Sequence, residues 1–255
     1  MKKNQIGLQL YTIREHCKTA SDLAASLRKV HAIGYAAIEY ANTGFGSARE
    51  IRAICDGEGI KICSSHEDSR LILGEPDKVA DRLGEFGCTI AGYPYPRDID
   101  LSSAAAVAHL ASNLERSAQT LKERGIKLAY HNHGLEFYRL GKKTVLETLF
   151  DLAPTLEAEP DVCWIQYGGG SPELWLRRMA GRTPIVHIKD IGFDLAANRG
   201  TPVELGNGTL DLPGIAKVAT TAGAEWFIVE QDDCPGDAFE SIRVSYEYAA
   251  SEMVG

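Results

Sequence analysis

Histidines and carboxylates stand where several apolar runs of this chain end. Four of the seven histidines occupy such positions. The polar residues at these ends are Gln9 and Tyr11; Glu39 and Tyr40; His66; Tyr93 and Tyr95; His131, Asn132 and His133; Asp161; His187, Lys189 and Asp190; and Glu230, Gln231 and Asp232. Mixed carboxylate and imidazole groups suit Mn²⁺, Mg²⁺, Co²⁺ or Zn²⁺, whereas a structural zinc site would call for nearby thiols. Such a cation can hold a substrate carbonyl and hydroxyl side by side while a flanking carboxylate moves a proton.

Each of these residues also has a purely structural interpretation. A single His or Asp at a strand end commonly caps the next helix or binds loop amides. Asp190 and Asp232 could be such caps or partners of ligands, and Glu39 could form a salt bridge at the rim of the fold. The metal interpretation depends on the joint pattern, because acid and imidazole groups in an apolar interior are costly unless a polar species lies among them.

A recurring unit of helix, glycine, apolar run and polar end must position these residues. The glycines of the five clearest units are Gly34, Gly59, Gly87, Gly125 and Gly223. Glycine suits the end of a helix because it adopts the left-handed conformation freely. Three further strands fit at Gln5–Leu10, Leu156–Val162 and Pro184–Lys189. The pattern therefore predicts eight strands, which begin near residues 5, 36, 60, 88, 126, 156, 184 and 226.

Eight such repeats in 255 residues match a closed (β/α)₈ barrel, so we expect an α/β fold with a single TIM-barrel domain over residues 1–255. An open doubly wound sheet is the alternative, but the chain has no GxGxxG or Walker sequence, and Gly168–Gly170 lacks the lysine and spacing of a phosphate cradle. We expect Ser102 or Ser103 to cap the helix after the fourth strand and Ile191–Asp211 to be an irregular active-site loop.

Charge and composition limit the classes of partner that we expect this chain to bind. Thirty-five acids against 27 bases give a net charge of -8, which argues against nucleic acid as a partner. The chain has no apolar run of about 18 residues and no unbroken signal-peptide core, so we expect no membrane partner and a cytoplasmic location. Six scattered cysteines are expected to be reduced core residues. The outer helical faces of a barrel could support a homo-oligomer.

Five segments together resemble the sugar phosphate isomerase/epimerase family, the xylose isomerase-like TIM barrels. They are GLQLYTIR at Gly7–Arg14, YHNHGLEF at Tyr130–Phe137, Asp161 with Trp164, HIKD at His187–Asp190, and VEQD at Val229–Asp232. The segments follow in order along nearly the whole chain, and their combination is more specific than any one of them.

The resemblance implies a divalent metal, often Mn²⁺, held by Glu, Asp, His and Glu from the fifth to eighth strands. Asp161, His187 and Glu230 match the last three positions. His131 stands where the ketose epimerases have the first glutamate. A branch with the His-Asn-His signature carries its acid a few residues later, which implies Glu136 as the first ligand, with His131 or His133 as its substitute or as a substrate contact.

The function that follows is a metal-dependent sugar isomerase or epimerase acting on a small polyhydroxylated carbonyl compound. Its expected catalytic residues are Glu136, Glu230, Lys189 and His66. Its expected substrate-binding residues are Gln9, Tyr11, Glu39, Tyr93, His131, His133 and Trp164. A lyase or dehydratase acting on a keto-sugar or inosose is the alternative, since inosose dehydratase-like relatives share a histidine-rich fifth strand. A sugar-binding barrel without turnover is a third hypothesis. The family branch that repairs abasic DNA needs more metal ligands and a basic face. This acidic chain offers neither clearly, so we do not expect that activity.

Overall fold

The computed structural model describes residues 1–41 and 44–255. Within them the strands are β1 (Ile6–Gln9), β2 (Ala37–Tyr40), β3 (Lys61–His66), β4 (Ile90–Tyr93), β5 (Lys127–His131), β6 (Arg139–Leu140), β7 (Lys143–Thr144), β8 (Glu157–Glu159), β9 (Ile185–Ile188), β10 (Asp190–Asp194), β11 (Arg199–Val203) and β12 (Trp226–Val229). The α-helices are α1 (Ala20–Ile33), α2 (Ala48–Gly57), α3 (Ser69–Gly74), α4 (Pro76–Phe86), α5 (Ala104–Glu123), α6 (Val145–Leu152), α7 (Val162–Tyr167), α8 (Pro172–Arg178), α9 (Leu212–Ala222) and α10 (Ala238–Tyr248).

Eight of these strands form one parallel sheet that curls into a nearly closed barrel. The order across the sheet is β8-β5-β4-β3-β2-β1-β12-β9. Between β8 and β9 the closure is a single bridge of Asp161 with His187, where the His187 N–H donates to the Pro160 carbonyl over 3.0 Å. The structure confirms the predicted (β/α)₈ TIM barrel, and each barrel strand begins within two residues of its predicted start.

The sixth barrel strand is shorter than the predicted Leu156–Val162. It ends at Glu159 because Pro160 has no N–H to continue the ladder. Asp161 instead caps α7, where its carboxylate accepts the Trp164 N–H over 2.9 Å. The chain therefore passes from β8 directly into α7. Asp161 lies between them, where it caps the helix and forms the β-bridge with His187.

Capping residues end and begin the helices much as the sequence indicates. Gly87 follows α4 with a φ of 74°, a left-handed conformation, and its N–H bonds the Leu83 carbonyl. Ser103, one of the two expected residues, caps α5 by accepting the Ala106 N–H. These ends fix the lengths of the helices that cover the barrel.

Side chains inside the barrel form an apolar layer with polar groups above it. The apolar layer consists of Ala37, Cys63, Ile90, Ala129, Ile185 and Ile228. Because strand side chains alternate with a period of two, the next inward residues after Ala37, Ala129 and Ile185 are polar. These residues are Glu39, His131 and His187, all buried. A second, larger core lies between the strands and the surrounding helices.

The predicted irregular loop Ile191–Asp211 instead contains a hairpin, in which β10 pairs antiparallel with β11. Asp190 organises the chain that returns from this hairpin. Its carboxylate accepts the N–H groups of Gly206, Gly208 and Leu210 at 3.0, 3.1 and 3.2 Å. Asp190 thus has the structural role that was one of its two sequence interpretations.

Two other findings concern the membrane and the cysteines. Among the described residues, none of the helices combines the length and the apolar character that a bilayer crossing needs. The six cysteines are all free thiols, and five of them are buried, as expected for core residues.

Candidate metal centre and adjoining cavity

Four side chains from β5, β9 and the residues after β8 and β12 converge at the carboxyl end of the barrel. We call His131, Asp161, His187 and Glu230 the Asp161 cluster; one donor atom from each lies within 4.8 Å of all the others. The Oδ2 atom of Asp161 is 3.4 Å from His131 Nε2, and Glu230 Oε2 is 2.9 Å from His187 Nδ1. All four side chains are buried. The structure therefore brings the three ligands matched by the resemblance together with His131.

A second group shares His187. We call Glu39, His66, Glu159 and His187 the Glu159 cluster; their donor atoms also lie within 4.8 Å of one another. His187 Nε2 is 2.7 Å from both Glu39 Oε2 and Glu159 Oε1. Glu159 was not among the site residues expected from the sequence. Its position two residues before Asp161 was the available signal, since a period of two places both on the same side of a strand.

Lys189 follows β9 and is almost completely buried beside these acids. Its Nζ lies 3.1 Å from Asp161 Oδ2, 2.8 Å from Glu230 Oε2 and 2.8 Å from Asp232 Oδ2. Burial acts to lower the pKa of Lys189, but Asp161 and Glu230 outweigh it and hold that pKa well above its usual value. The ammonium group is therefore charged and neutralises part of the site.

The residues fit a divalent cation on charge and on donor type. The carboxylates of the two clusters and their neighbour are Glu39, Glu159, Asp161, Glu230 and Asp232. Among the described residues, Lys189 is the one lysine or arginine whose charged group forms an ion pair with any of these five carboxylates. Several anionic oxygens packed in a low-dielectric interior are unfavourable without further positive charge. Carboxylate oxygens with imidazole nitrogens are the donor set expected for Mn²⁺, Mg²⁺, Co²⁺ or Zn²⁺.

The same excess of negative charge raises the pKa of two histidines in the site. Burial works to lower the pKa of His187, but Glu159 and Glu39 raise it well above the ordinary value. Burial also opposes protonation of His66, and the same two glutamates outweigh it and raise the pKa of this ring.

Glu136, the expected first ligand, belongs to neither cluster. A short 3-10 helix at Leu135–Phe137 follows the turn after β5, and it directs this carboxylate toward the Tyr130 hydroxyl at 3.0 Å and the His133 N–H at 2.8 Å. Burial raises the pKa of Glu136 to about 7. Glu136 therefore lies apart from Asp161, His187 and Glu230, whereas His131, its alternative, lies in the Asp161 cluster with them.

A cavity of about 430 Å³ opens at the carboxyl ends of the strands, beside both clusters. Its lining includes Tyr11, His66, Glu67, Tyr95, Arg97, His131, His133, Glu230 and Asp232. Burial, with help from His131, lowers the pKa of His133 to about 3, so this ring is neutral at physiological pH. A larger depression of about 740 Å³ lies between α2 and α4 and shares no residue with the clusters.

Four of the expected substrate contacts do not line this cavity. Gln9 and Glu39 are fully buried behind it, where the Gln9 amide donates to Glu39 over 2.7 Å. Tyr93 is also fully buried, and its ring packs on Tyr130 with centroids 5.4 Å apart. Trp164 lines a separate cavity of about 190 Å³ near the hairpin, and it lies 5.8 Å from the His133 ring. Tyr11, His66, His131 and His133 lie where the sequence placed them, at the cavity.

The fold and this site define a TIM barrel with a polar, acid-rich centre at the carboxyl ends of its strands. Residues 27–248 match the family model described as the xylose isomerase-like TIM barrel, and the chain belongs to this family.

Relatives within the family differ in the reaction they are named for. Inosose dehydratase from Geobacillus kaustophilus is 26% identical to this chain over 87% of the chain and 84% of the enzyme. A sugar phosphate isomerase/epimerase from Parabacteroides distasonis superposes with a TM-score of 0.83 at 22% identity, covering 98% of this chain and 95% of that one. A xylose isomerase-like TIM barrel protein from Mycobacterium smegmatis, solved in complex with magnesium, superposes with a TM-score of 0.72 at 15% identity over the whole of both chains. The two structural likenesses show the shared fold.

Proposed function

We propose that this protein is a divalent-metal-dependent isomerase or epimerase that moves a proton next to the carbonyl of a small sugar or keto-sugar. The Asp161 cluster carries the proposal, because its four donor atoms converge beside a cavity of about 430 Å³. That volume suits a small polyhydroxylated substrate. The isomerase/epimerase among the structural neighbours supports this reaction class.

His131, Asp161, His187 and Glu230 would hold the cation. Mn²⁺ is the ion we propose, with Mg²⁺, Co²⁺ or Zn²⁺ as alternatives for the same donors. When bound, the cation would supply positive charge to the substrate oxygens as a proton leaves the neighbouring carbon.

The chain's own residues would bind the substrate and move the proton. Glu230 lines the cavity and is the proposed base, and its contact with Lys189 at 2.8 Å stabilises the carboxylate form. Lys189 would return a proton or stabilise negative charge on a substrate oxygen. The neutral His133 ring, with His66 and Tyr11, would hydrogen-bond substrate hydroxyls at the cavity wall.

A dehydratase is the second candidate, and the curated relative from Geobacillus supports it. Elimination of water begins with the same proton abstraction and then needs an acid at the departing hydroxyl. Asp232 lines the cavity and lies 2.8 Å from Lys189 Nζ, so this pair is the proposed proton source for the departing hydroxyl.

Deuterium exchange and product mass test the proposal together. The Mn²⁺-loaded protein is incubated in D₂O with a panel of ketoses, keto-sugars and an inosose. Deuterium at the carbon beside the carbonyl in a product of unchanged composition supports the isomerase or epimerase, and loss of water supports the dehydratase. Absence of exchange with every compound, accompanied by binding alone, would favour the non-catalytic sugar-binding barrel.

The remaining proposals concern partners and location. We propose no nucleic-acid or membrane partner for this acidic chain, a cytoplasmic location, and self-association through outer helices as an option. Size-exclusion chromatography with light scattering measures the last of these directly.

A further inference from the structure

We propose that Glu39 and Glu159 are positioning residues that hold the Nε2–H of His187 from inside the barrel and thereby direct its Nδ1 at the cation of the Asp161 cluster. This inference rests on the proposed metal site, but it assigns a role to residues that do not bind the metal. It replaces the expected substrate contact of Glu39 with a contact to a ligand.

The two carboxylates converge on one ring nitrogen. Glu39 Oε2 and Glu159 Oε1 each lie 2.7 Å from His187 Nε2, and both side chains are fully buried. A carboxylate can only accept hydrogen bonds, so Nε2 must carry a proton. The carboxylate partner of a ligating histidine sets its tautomer and raises its basicity toward a metal.

Each carboxylate has its own additional donor, which keeps the pair in place. The Gln9 Nε2 amide donates to Glu39 Oε2 over 2.7 Å, and His66 Nε2 lies 3.1 Å from Glu159 Oε1. The Tyr11 N–H donates to the side-chain Oε1 of Gln9 over 3.2 Å and fixes which end of the amide faces the barrel. The Gln9 amide nitrogen is also 3.3 Å from His66 Nδ1, and His66 Nε2, which faces the Glu159 carboxylate, carries a proton. Each carboxylate therefore has an N–H donor besides His187.

The consequence appears on the opposite edge of the His187 ring. His187 Nδ1 lies 2.9 Å from Glu230 Oε2, so in the metal-free protein a proton on Nδ1 forms a hydrogen bond there. A cation held by Asp161, Glu230 and His131 would displace this proton to solvent and take the Nδ1 lone pair as a ligand, while Nε2 keeps its proton.

Gly92 on β4 shows that the fold makes room for the positioning pair. A Cβ at this position would overlap the His66 ring and stand 2.8 Å from Glu159 Oε2. Real Cβ atoms do not approach other atoms so closely, so any larger residue would displace the ring or the carboxylate. The close packing of His66 and Glu159 thus depends on a glycine in the neighbouring strand.

Calorimetric Mn²⁺ affinity of the full-length protein tests the inference. Glu39→Gln and Glu159→Gln should each weaken Mn²⁺ binding about 10- to 100-fold, the range for lost partners of metal-ligating histidines. Glu136→Gln is the matched control, since Glu136 is equally buried but contacts neither His187 nor its partners. Its Mn²⁺ affinity should equal that of the wild type.

Nitrogen NMR of the His187 ring separates positioning from general damage to the fold. In the Zn²⁺-loaded wild type we expect a protonated Nε2 and a metal-bound Nδ1, and in Glu39→Gln/Glu159→Gln a mixture of tautomers. Wild-type affinity in both single variants, zinc on Nε2, or two Mn²⁺ per chain with one lost in Glu159→Gln would overturn the inference. A wild type that binds no metal would overturn the proposed function, and loss of the hydrogen-bonded His187 Nε2–H signal in metal-free Glu39→Gln/Glu159→Gln, compared with the metal-free wild type, would still test the positioning role of the two glutamates.

Discussion

The two clusters that share His187 differ in what surrounds them. In the Asp161 cluster, His131 and Glu230 line the cavity and Lys189 supplies a positive charge. In the Glu159 cluster, both glutamates are fully buried, and donors from Gln9 and His66 contact them. Similar residue types at similar depth can therefore serve two purposes: groups open to the cavity can reach a cation and substrate, whereas the enclosed ones can only orient their neighbours.

The two histidines of the Asp161 cluster show the same contrast. Both ring nitrogens of His187 have carboxylate partners. His131 Nδ1 is buried and, among the described residues, has no hydrogen-bond partner. We infer that His187 is the rigid ligand of the pair and that His131 can adjust its ring when the site is loaded.

Replacing the shared residue should have the largest effect. His187→Ala removes a residue that both clusters share. Loss of a hydrogen-bond partner of a ligating histidine weakens metal binding by up to about 100-fold, and loss of the ligand itself should weaken Mn²⁺ binding further. Elemental analysis after dialysis should find no retained metal, and turnover should be absent. Metal retained at wild-type level would show that the Asp161 cluster is not the binding site.

Replacing Lys189 should have the second-largest effect, a loss of stability in the metal-free protein. Lys189→Met leaves Asp161, Glu230 and Asp232 without their shared ammonium partner, and breaking such a buried pair typically costs about 3–5 kcal/mol of unfolding free energy. Urea unfolding with and without Mn²⁺ measures this change. The metal should stabilise the variant more than the wild type, and equal stabilisation of both would contradict the charge argument.

Glu136, an acid outside the two clusters, should make the free energy of unfolding depend on pH. Burial raises its pKa to about 7 in the folded protein from 4.5, so the folded state holds the proton more tightly. Stability from this group is therefore fully present below pH 4.5 and is lost as the pH rises to about 7, by roughly 3 kcal/mol in total. Glu136→Gln should remove this loss, which unfolding at pH 5 and pH 8 can measure. Parallel curves for variant and wild type would refute it.

A methyl group beside the Glu159 cluster should have the smallest of these effects. Gly92→Ala pushes on His66 and Glu159, and we expect Mn²⁺ affinity to fall about tenfold, the lower end of the range for disturbed ligand partners. Gly84→Ala in α4 is the control, because a Cβ there meets no atom within 4 Å. That change should leave metal affinity unaltered and stabilise the helix by about 0.5–1 kcal/mol. Equal affinities for both variants would weaken the role of close packing.

Much of the fold was predictable because it depends on local and periodic signals. Helix-ending glycines marked five of the eight barrel strands, apolar runs marked the other three, and Ser103 caps α5 as expected. Asp161, His187 and Glu230 could be placed at one face because parallel strands end there, and the family resemblance singled them out as ligands. The hairpin at β10–β11 was not predictable, since Asp190 organises its return through loop amides up to 20 residues away.

The sequence by itself determined the barrel and the polar ends of its strands, because these follow from periodicity and strand order, and the family resemblance singled out three of the four candidate ligands. Only the tertiary structure showed that His131 and not Glu136 lies in the Asp161 cluster, since a short turn after β5 sends Glu136 toward Tyr130. It alone placed Glu39 and Glu159 against the same nitrogen of His187. The physical reason is that strand periodicity states which way a side chain points, whereas barrel closure determines which distant side chain it meets there.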